Sequence, residues 1–290
     1  MKNSISYARP IRPAWFGRFL IGLTCLIAIA LVPQTSRAAD RDRIVAFLNV
    51  TGFDVALDSI ALAAASAPQM LGADERDFGS EWERISTEVF DTAVMRDLAL
   101  QILEQTLSDD LLSHAAGFYA TDLGQRLVAA ENDSHLLRDD GPKQAEGTKI
   151  VSDLVSEGSP RVQVILRMNR AIDASGQSLR ALQEIQLRFL LAASAAGVVD
   201  LQMDEEQLRQ MFRSQEPELR QMLQKSAMAG AAFTYRDISD ADLDAYVQAL
   251  EQPEMKQVYE LLNAVQYEVM ANRFEVLAGR MADLRPSQDL

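Results

Sequence analysis

The chain has one cysteine, Cys25, and two histidines, His114 and His135, in 290 residues. A lone thiol forms no internal disulfide, and two imidazoles cannot build a three-histidine zinc site. Strand signals are equally scarce, with no run alternating β-branched or aromatic residues with polar ones between turns. The chain carries no G-x-S-x-G elbow, no phosphate loop and no H-E-x-x-H motif. The stretch "GTKI" (Gly147–Ile150) lacks the upstream glycine of a phosphate loop. Basic residues number 28 against 42 acidic ones, for a net charge of −14. Such a chain repels nucleic-acid phosphates and anionic lipid surfaces, which rely on cationic contacts.

The one long apolar run stands near the amino terminus. Lys2, Arg9, Arg12 and Arg18 precede or enter "FLIGLTCLIAIALV" (Phe19–Val32), and Pro33 ends it. That length suits the hydrophobic region of a secretory signal better than a membrane span. Ser36 and Ala38 are small residues at the −3 and −1 positions of a cleavage site before Ala39. Residues 1–38 therefore read as a cleaved signal peptide, and the protein as periplasmic, with no stable membrane insertion after cleavage. The alternative is an uncleaved anchor. Cleavage removes Cys25, five basic residues and no acidic one, so the net charge falls from −14 to −19.

What remains is rich in Ala, Leu, Gln, Glu, Arg and Met, all good helix formers. Apolar residues recur at three- and four-residue steps. "SEWERISTEVFDTAVMRDLALQILEQT" (Ser80–Thr106) reads as one long helix, or two with a bend near Asp91-Thr92. Phe53–Ala67 runs helical up to Pro68, and Ser178–Gly197 forms another helix. The last helix starts at Pro253 and carries two adjoining apolar stripes as far as Leu284. The fold class is all-α and multi-helical, with a long C-terminal helix. Arg138–Gly147 and Ser156–Arg161 read as polar loops around a short helix. They place a junction at 138–160 between a first half, 39–137, and a second, 161–290. Pro217 reads as the start of a further helix.

"LSDDLLSHAAGFYATDLGQRL" (Leu107–Leu127) and "ISDADLDAYVQALEQPEMKQV" (Ile238–Val258) share one grammar. In each a Ser-Asp cap opens a helix of about three turns, a break follows, and a second helix begins. This points to an internal duplication. Ser108 and Ser239 stand where N-caps belong. Pro253 marks the first position of its helix, because proline fits there and hardly elsewhere. By alignment Asp122 takes that position in the first copy and Thr121 is its cap. Gly124 would allow close approach at the turn, and Phe118 and Tyr119 would pack in the angle. The 107–135 hairpin thus reads as structural at Ser108, Phe118, Tyr119, Thr121 and Gly124, and the second copy at Ser239 and Pro253.

Together with "LNVTGFD" (Leu48–Asp54), this hairpin resembles an uncharacterised bacterial family, domain of unknown function 2059, over about residues 43–135. Phe118, Tyr119, Thr121, Gly124 and Gln125 match the family pattern. Asp122 replaces its usual proline and Arg126 its lysine. The resemblance implies an exported, all-helical protein, and no activity is established for the family that could carry over.

Candidate chemistry is thin. Asp109, Asp110 and His114 do not converge at metal-ligand spacing, and the acid pairs Glu205-Glu206 and Asp139-Asp140 read as capping or solvated groups. No metal or cofactor is expected. Eight methionines follow residue 160. Methionine adapts to irregular apolar partners, so Met211, Met222, Met228 and Met255 are candidates for an apolar groove, against core filling as the plainer role. The expectation is a non-enzymatic exported protein that binds a protein partner or an apolar ligand. The rivals are a cell-envelope hydrolase using a carboxylate pair and a purely structural envelope component.

Overall fold

The computed structural model describes residues 39–63, 67–70, 81–137, 140–173 and 176–282. The expected leader and its cleavage motif lie outside the described residues. Thirteen α-helices and no strand occur among the described residues. They are α1 (Arg41–Thr51), α2 (Phe53–Ala63), α3 (Ala67–Met70), α4 (Glu81–Val89), α5 (Thr92–Thr106), α6 (Asp109–Tyr119) and α7 (Asp122–His135). After these come α8 (Asp140–Ser156), α9 (Arg161–Ile172), α10 (Gln177–Ala195), α11 (Glu205–Thr234), α12 (Asp240–Leu250) and α13 (Pro253–Met281).

The bend expected near Asp91 is real. Its carboxylate accepts a hydrogen bond from the Val94 N–H at 3.0 Å, so α4 stops and α5 begins there. The 29 residues of α13 make a rod of about 43 Å. Met255, Val258, Val265, Val269, Phe274, Leu277 and Met281 along it are all buried. Because its apolar stripe drifts, it meets a series of neighbours: α4, α5, α6, α9, α10 and α12. One core runs from Ile44 of α1 to Met281 of α13, and a small satellite cluster gathers Leu187, Leu208 and Phe212 where α10 meets α11.

Two expectations fail, one loop and one helix start, whereas residues 157–160 do break the chain between α8 and α9. Residues 140–147 form the first turns of α8. Pro142 falls in the first turn, where its missing N–H costs nothing. Gly147 is the point of closest approach to α11, since a Cβ there would lie 2.0 Å from the Ala229 carbonyl oxygen. Glycine here serves packing, which composition alone reads as a loop. The second is Pro217, which opens no helix; α11 runs through it from Glu205 to Thr234. Proline removes one backbone bond, to the carbonyl four residues earlier. That residue, Arg213, is exposed, so water can replace the lost donor.

No single helix among the described residues is long and apolar enough to cross a membrane. The α1–α2 pair passes that test only as two segments bent by 72°, and Ile44, Phe47, Leu48, Leu57 and Ile60 of that pair are core residues.

Candidate functional site

The α6–α7 hairpin is built from short-range bonds. Ser108 Oγ accepts from the Leu111 N–H at 3.3 Å and starts α6, and Thr121 Oγ1 accepts from the Gly124 N–H at 3.0 Å and starts α7. Asp122 sits in the first turn of α7, facing the positive end of the helix dipole. The Gln125 side chain donates to the Tyr119 carbonyl at 2.5 Å, closing the turn. A Cβ on Gly124 would lie 2.5 Å from the Phe118 carbonyl oxygen and 2.6 Å from Tyr119 Cα. Only glycine lets α7 leave so close to the end of α6.

The α12–α13 turn repeats the backbone bonds and the serine cap, but Gln252, in the place of Thr121, makes no side-chain cap. Leu112 N–H donates to the Ser108 carbonyl at 3.0 Å, and Leu243 to Ser239 at 2.9 Å. At the break, Ala120 bonds to Ala116 and Glu251 to Val247, both at 2.9 Å. Beyond it, Gln125 bonds to Thr121 at 2.9 Å and Lys256 to Gln252 at 3.0 Å. Ser239 caps α12 through the Asp242 N–H at 3.1 Å, and Pro253 stands at the start of α13.

The aromatic pair faces away from solvent and toward the other hairpin. Phe118 stacks on Tyr246 of α12, with ring centroids 5.8 Å apart and planes within 9°. The Tyr119 hydroxyl is hydrogen-bonded to that of Tyr259 on α13, and Tyr259 to Tyr246 at 2.6 Å. Tyr246 and Tyr235 both donate to Glu131 Oε1, at 3.1 and 2.6 Å. Beside them Thr234 donates to the buried Ser134 at 2.9 Å. Four tyrosines and one carboxylate thus tie α6 and α7 to α12, α13 and the end of α11.

Burial pushes the Glu131 carboxyl above the ordinary carboxylate range, ahead of the opposing effect of its two phenol donors. Burial likewise raises the hydroxyls of Tyr119, Tyr235 and Tyr246 well above their usual value, so they stay protonated donors. A folded carboxyl that titrates above its unfolded counterpart stabilises the fold at low pH. That contribution is lost as pH rises through the raised value. Glu131→Gln removes this dependence. In urea titrations the stability of wild type relative to Glu131→Gln is expected to fall as pH rises from the ordinary carboxylate range upward. A flat or rising difference contradicts the assignment.

The other candidates do not join this cluster. His114 and Asp110 are exposed, and Asp109 pairs with Arg43 at 2.6 Å. Burial lowers the pKa of His135, with Lys143 adding to the effect. Glu205 pairs with Arg209 at 2.9 Å and Glu206 with Arg213 at 2.7 Å. No group of three His, Cys, Asp or Glu side chains close enough to hold a metal occurs among the described residues.

The methionines do not meet in one groove either. Met255 lies in the core, Met228 packs against that core from its edge, and Met211 packs on the satellite cluster. Met222 lines the larger of two clefts. The methionines that crowd the second half of the sequence thus lie at different depths around α11 and α13. Two clefts stand out. One of about 390 Å³ lies between α10 and α13, around Arg188 and Tyr267. The other, about 750 Å³, is framed by α8, α10 and α11. Neither is lined by Glu131.

The residues of the hairpin decide the relationship. Residues 93–136 match the family model DUF2059, described as an uncharacterized protein conserved in bacteria. The match spans α5, α6 and α7 and therefore holds Ser108, Phe118, Tyr119, Thr121, Gly124 and Glu131. The Leu48–Asp54 stretch precedes it. No curated protein and no solved structure matches the chain. Side chains of the matched segment reach into the second half, as do Glu88 and Phe90 just before it.

Sequence reasoning missed Glu131 and its tyrosines. The signal available was Glu131 and Ser134 continuing the apolar stripe of Leu127 on α7. Polar groups on a buried stripe need partners.

Proposed function

We propose that this is an exported, non-enzymatic helical protein that binds a polypeptide partner. The observation that carries the reading is the 750 Å³ cleft of α8, α10 and α11, whose lining is rich in neutral amides. Amides recognise by hydrogen bonding and are poor acids, bases and nucleophiles. The hairpin supports the same reading, because its hydroxyls and carboxylate are used in holding helices together. A carboxylate-pair hydrolase would need a second acid beside Glu131 and a cleft opening onto it.

Export rests on the signal-like run and the small residues at 36 and 38. Ala39 is buried, and its backbone nitrogen donates to the Leu107 carbonyl at 3.0 Å. A chain cut before Ala39 keeps this anchor. Mass spectrometry of protein purified gently from the periplasm is expected to find an amino terminus at Ala39 and a co-purifying polypeptide. An intact leader sinks the export reading, and protein that captures no polypeptide sinks the binding reading.

We also infer that the two halves are duplicated copies. The shared bonds run at one offset, from Ser108 to Ser239. Packing is shared too: α6 lies on α13 as α12 lies on α7, and α1 meets α5 and α6 as α9 meets α11 and α12. Helix α8 has no counterpart. An experimental structure in which residues 108–128 fail to superpose on 239–259 removes this inference.

A further inference from the structure

We propose that the cleft between α8, α10 and α11 takes an extended peptide segment through its main-chain amides. This deepens the binding reading above and rests on it. Helix α11 is held at both ends, by Leu208 and Phe212 in the satellite cluster and by Ala231 and Ala232 in the main core. Between them, from Arg213 to Met228, no residue is buried. A helix segment standing free on most sides is a strut, and the cleft runs along one of its flanks.

The two flanks of the strut differ in chemistry. On one, Arg209, Arg213 and Arg220 are paired with Glu205, Glu206 and Glu216 at 2.6 to 2.9 Å. On the other, Gln215 and Gln221 face the cleft, opposite Gln144 of α8 and Gln186 of α10. Among the described residues none of these four carboxamides has a hydrogen-bond partner in the protein. Each offers a donor and an acceptor side by side, matching the N–H and C=O of one residue in an extended chain, which point the same way. Glu218 and Lys225 add charges that cancel, so the lining does not select an anion or a cation. Leu219 and Met222 supply an apolar floor, and Met222 is 58% exposed. In an extended chain, alternate side chains point the same way, so one apolar side chain can rest there while its neighbours face solvent. Sugars of similar size are gripped mostly by stacking on aromatic rings, and the lining has none. From Gln215 to Ser226 the strut rises about 17 Å, the length of roughly five extended residues.

The test uses the processed protein, labelled with ¹⁵N, and the blocked peptide acetyl-Gly-Leu-Gly-Leu-Gly-amide. Side-chain amide resonances of Gln144, Gln186, Gln215 and Gln221 are expected to shift saturably. The double variant Gln186→Leu/Gln221→Leu should bind about tenfold more weakly, at the usual strength of neutral hydrogen bonds. Its melting should be unchanged, because neither amide has a partner to lose. Maltotriose serves as the saccharide control. The proposal is overturned if the peptide moves none of the four resonances, if the double variant binds as well as wild type, or if maltotriose moves them and the peptide does not. A polypeptide that co-purifies but cross-links away from α11 sinks this site and leaves the binding reading standing.

Discussion

Gly124→Val is expected to destabilise the protein by about 3 kcal/mol or more, lowering its melting temperature by about 10 °C. The added Cβ would lie 2.5 Å from the Phe118 carbonyl oxygen and 2.6 Å from Tyr119 Cα. Both are backbone atoms at the end of α6, so no rotamer change relieves the clash. Helix α7 must move away, and Glu131 and Ser134 move with it. Gly117 is the built-in control. It lies inside α6, and a Cβ there meets nothing within 4 Å. Gly117→Ala should therefore stabilise by roughly 0.5–1 kcal/mol through helix propensity. Scanning calorimetry of the two variants checks both signs. If Gly124→Val melts like wild type, the hairpin is not the tight corner described.

Tyr246→Ala is expected to cost about 4 kcal/mol, in the range for truncating a buried aromatic side chain. Tyr246 is fully buried between Phe118, Tyr235 and Tyr259. Its removal opens a cavity and takes one of two donors from the Glu131 oxygen. Tyr246→Phe separates the two effects. The ring and its stacking on Phe118 stay, and only the hydroxyl goes, for about 1–2 kcal/mol. Urea denaturation of the pair measures both. Equal losses in the two variants would mean that the hydroxyl network, rather than the ring, carries the energy.

The local parts of this architecture are readable from the chain. Caps at Ser108, Thr121 and Ser239, and Pro253 at a helix start, follow from what backbone termini require of side chains. The buried stripe of α13 follows from periodicity. What misleads is composition. Gly147 and Pro142 resemble a loop but serve a close helix contact and a first turn, and Pro217 sits in a helix whose exposed side tolerates it. The tyrosine cluster is invisible for another reason. Tyr119 and Tyr259 lie 140 residues apart, and Tyr246 and Glu131 lie 115 apart. No window over the sequence brings them together. The shared pattern of the two hairpins offered a long-range hint, but it does not say that they touch. The cleft was missed because its amides have no periodic signature, while the methionines that drew attention are spread between core and surface.

The Glu131 and tyrosine cluster locks the DUF2059 segment to the second half of the chain. Differential scanning calorimetry of residues 39–290 tests this most directly. The two halves share one core and one hydrogen-bonded cluster, so one cooperative transition is predicted, with equal calorimetric and van't Hoff enthalpies. Two resolved transitions, or a calorimetric enthalpy well above the van't Hoff value, would show that the halves melt independently and would contradict it.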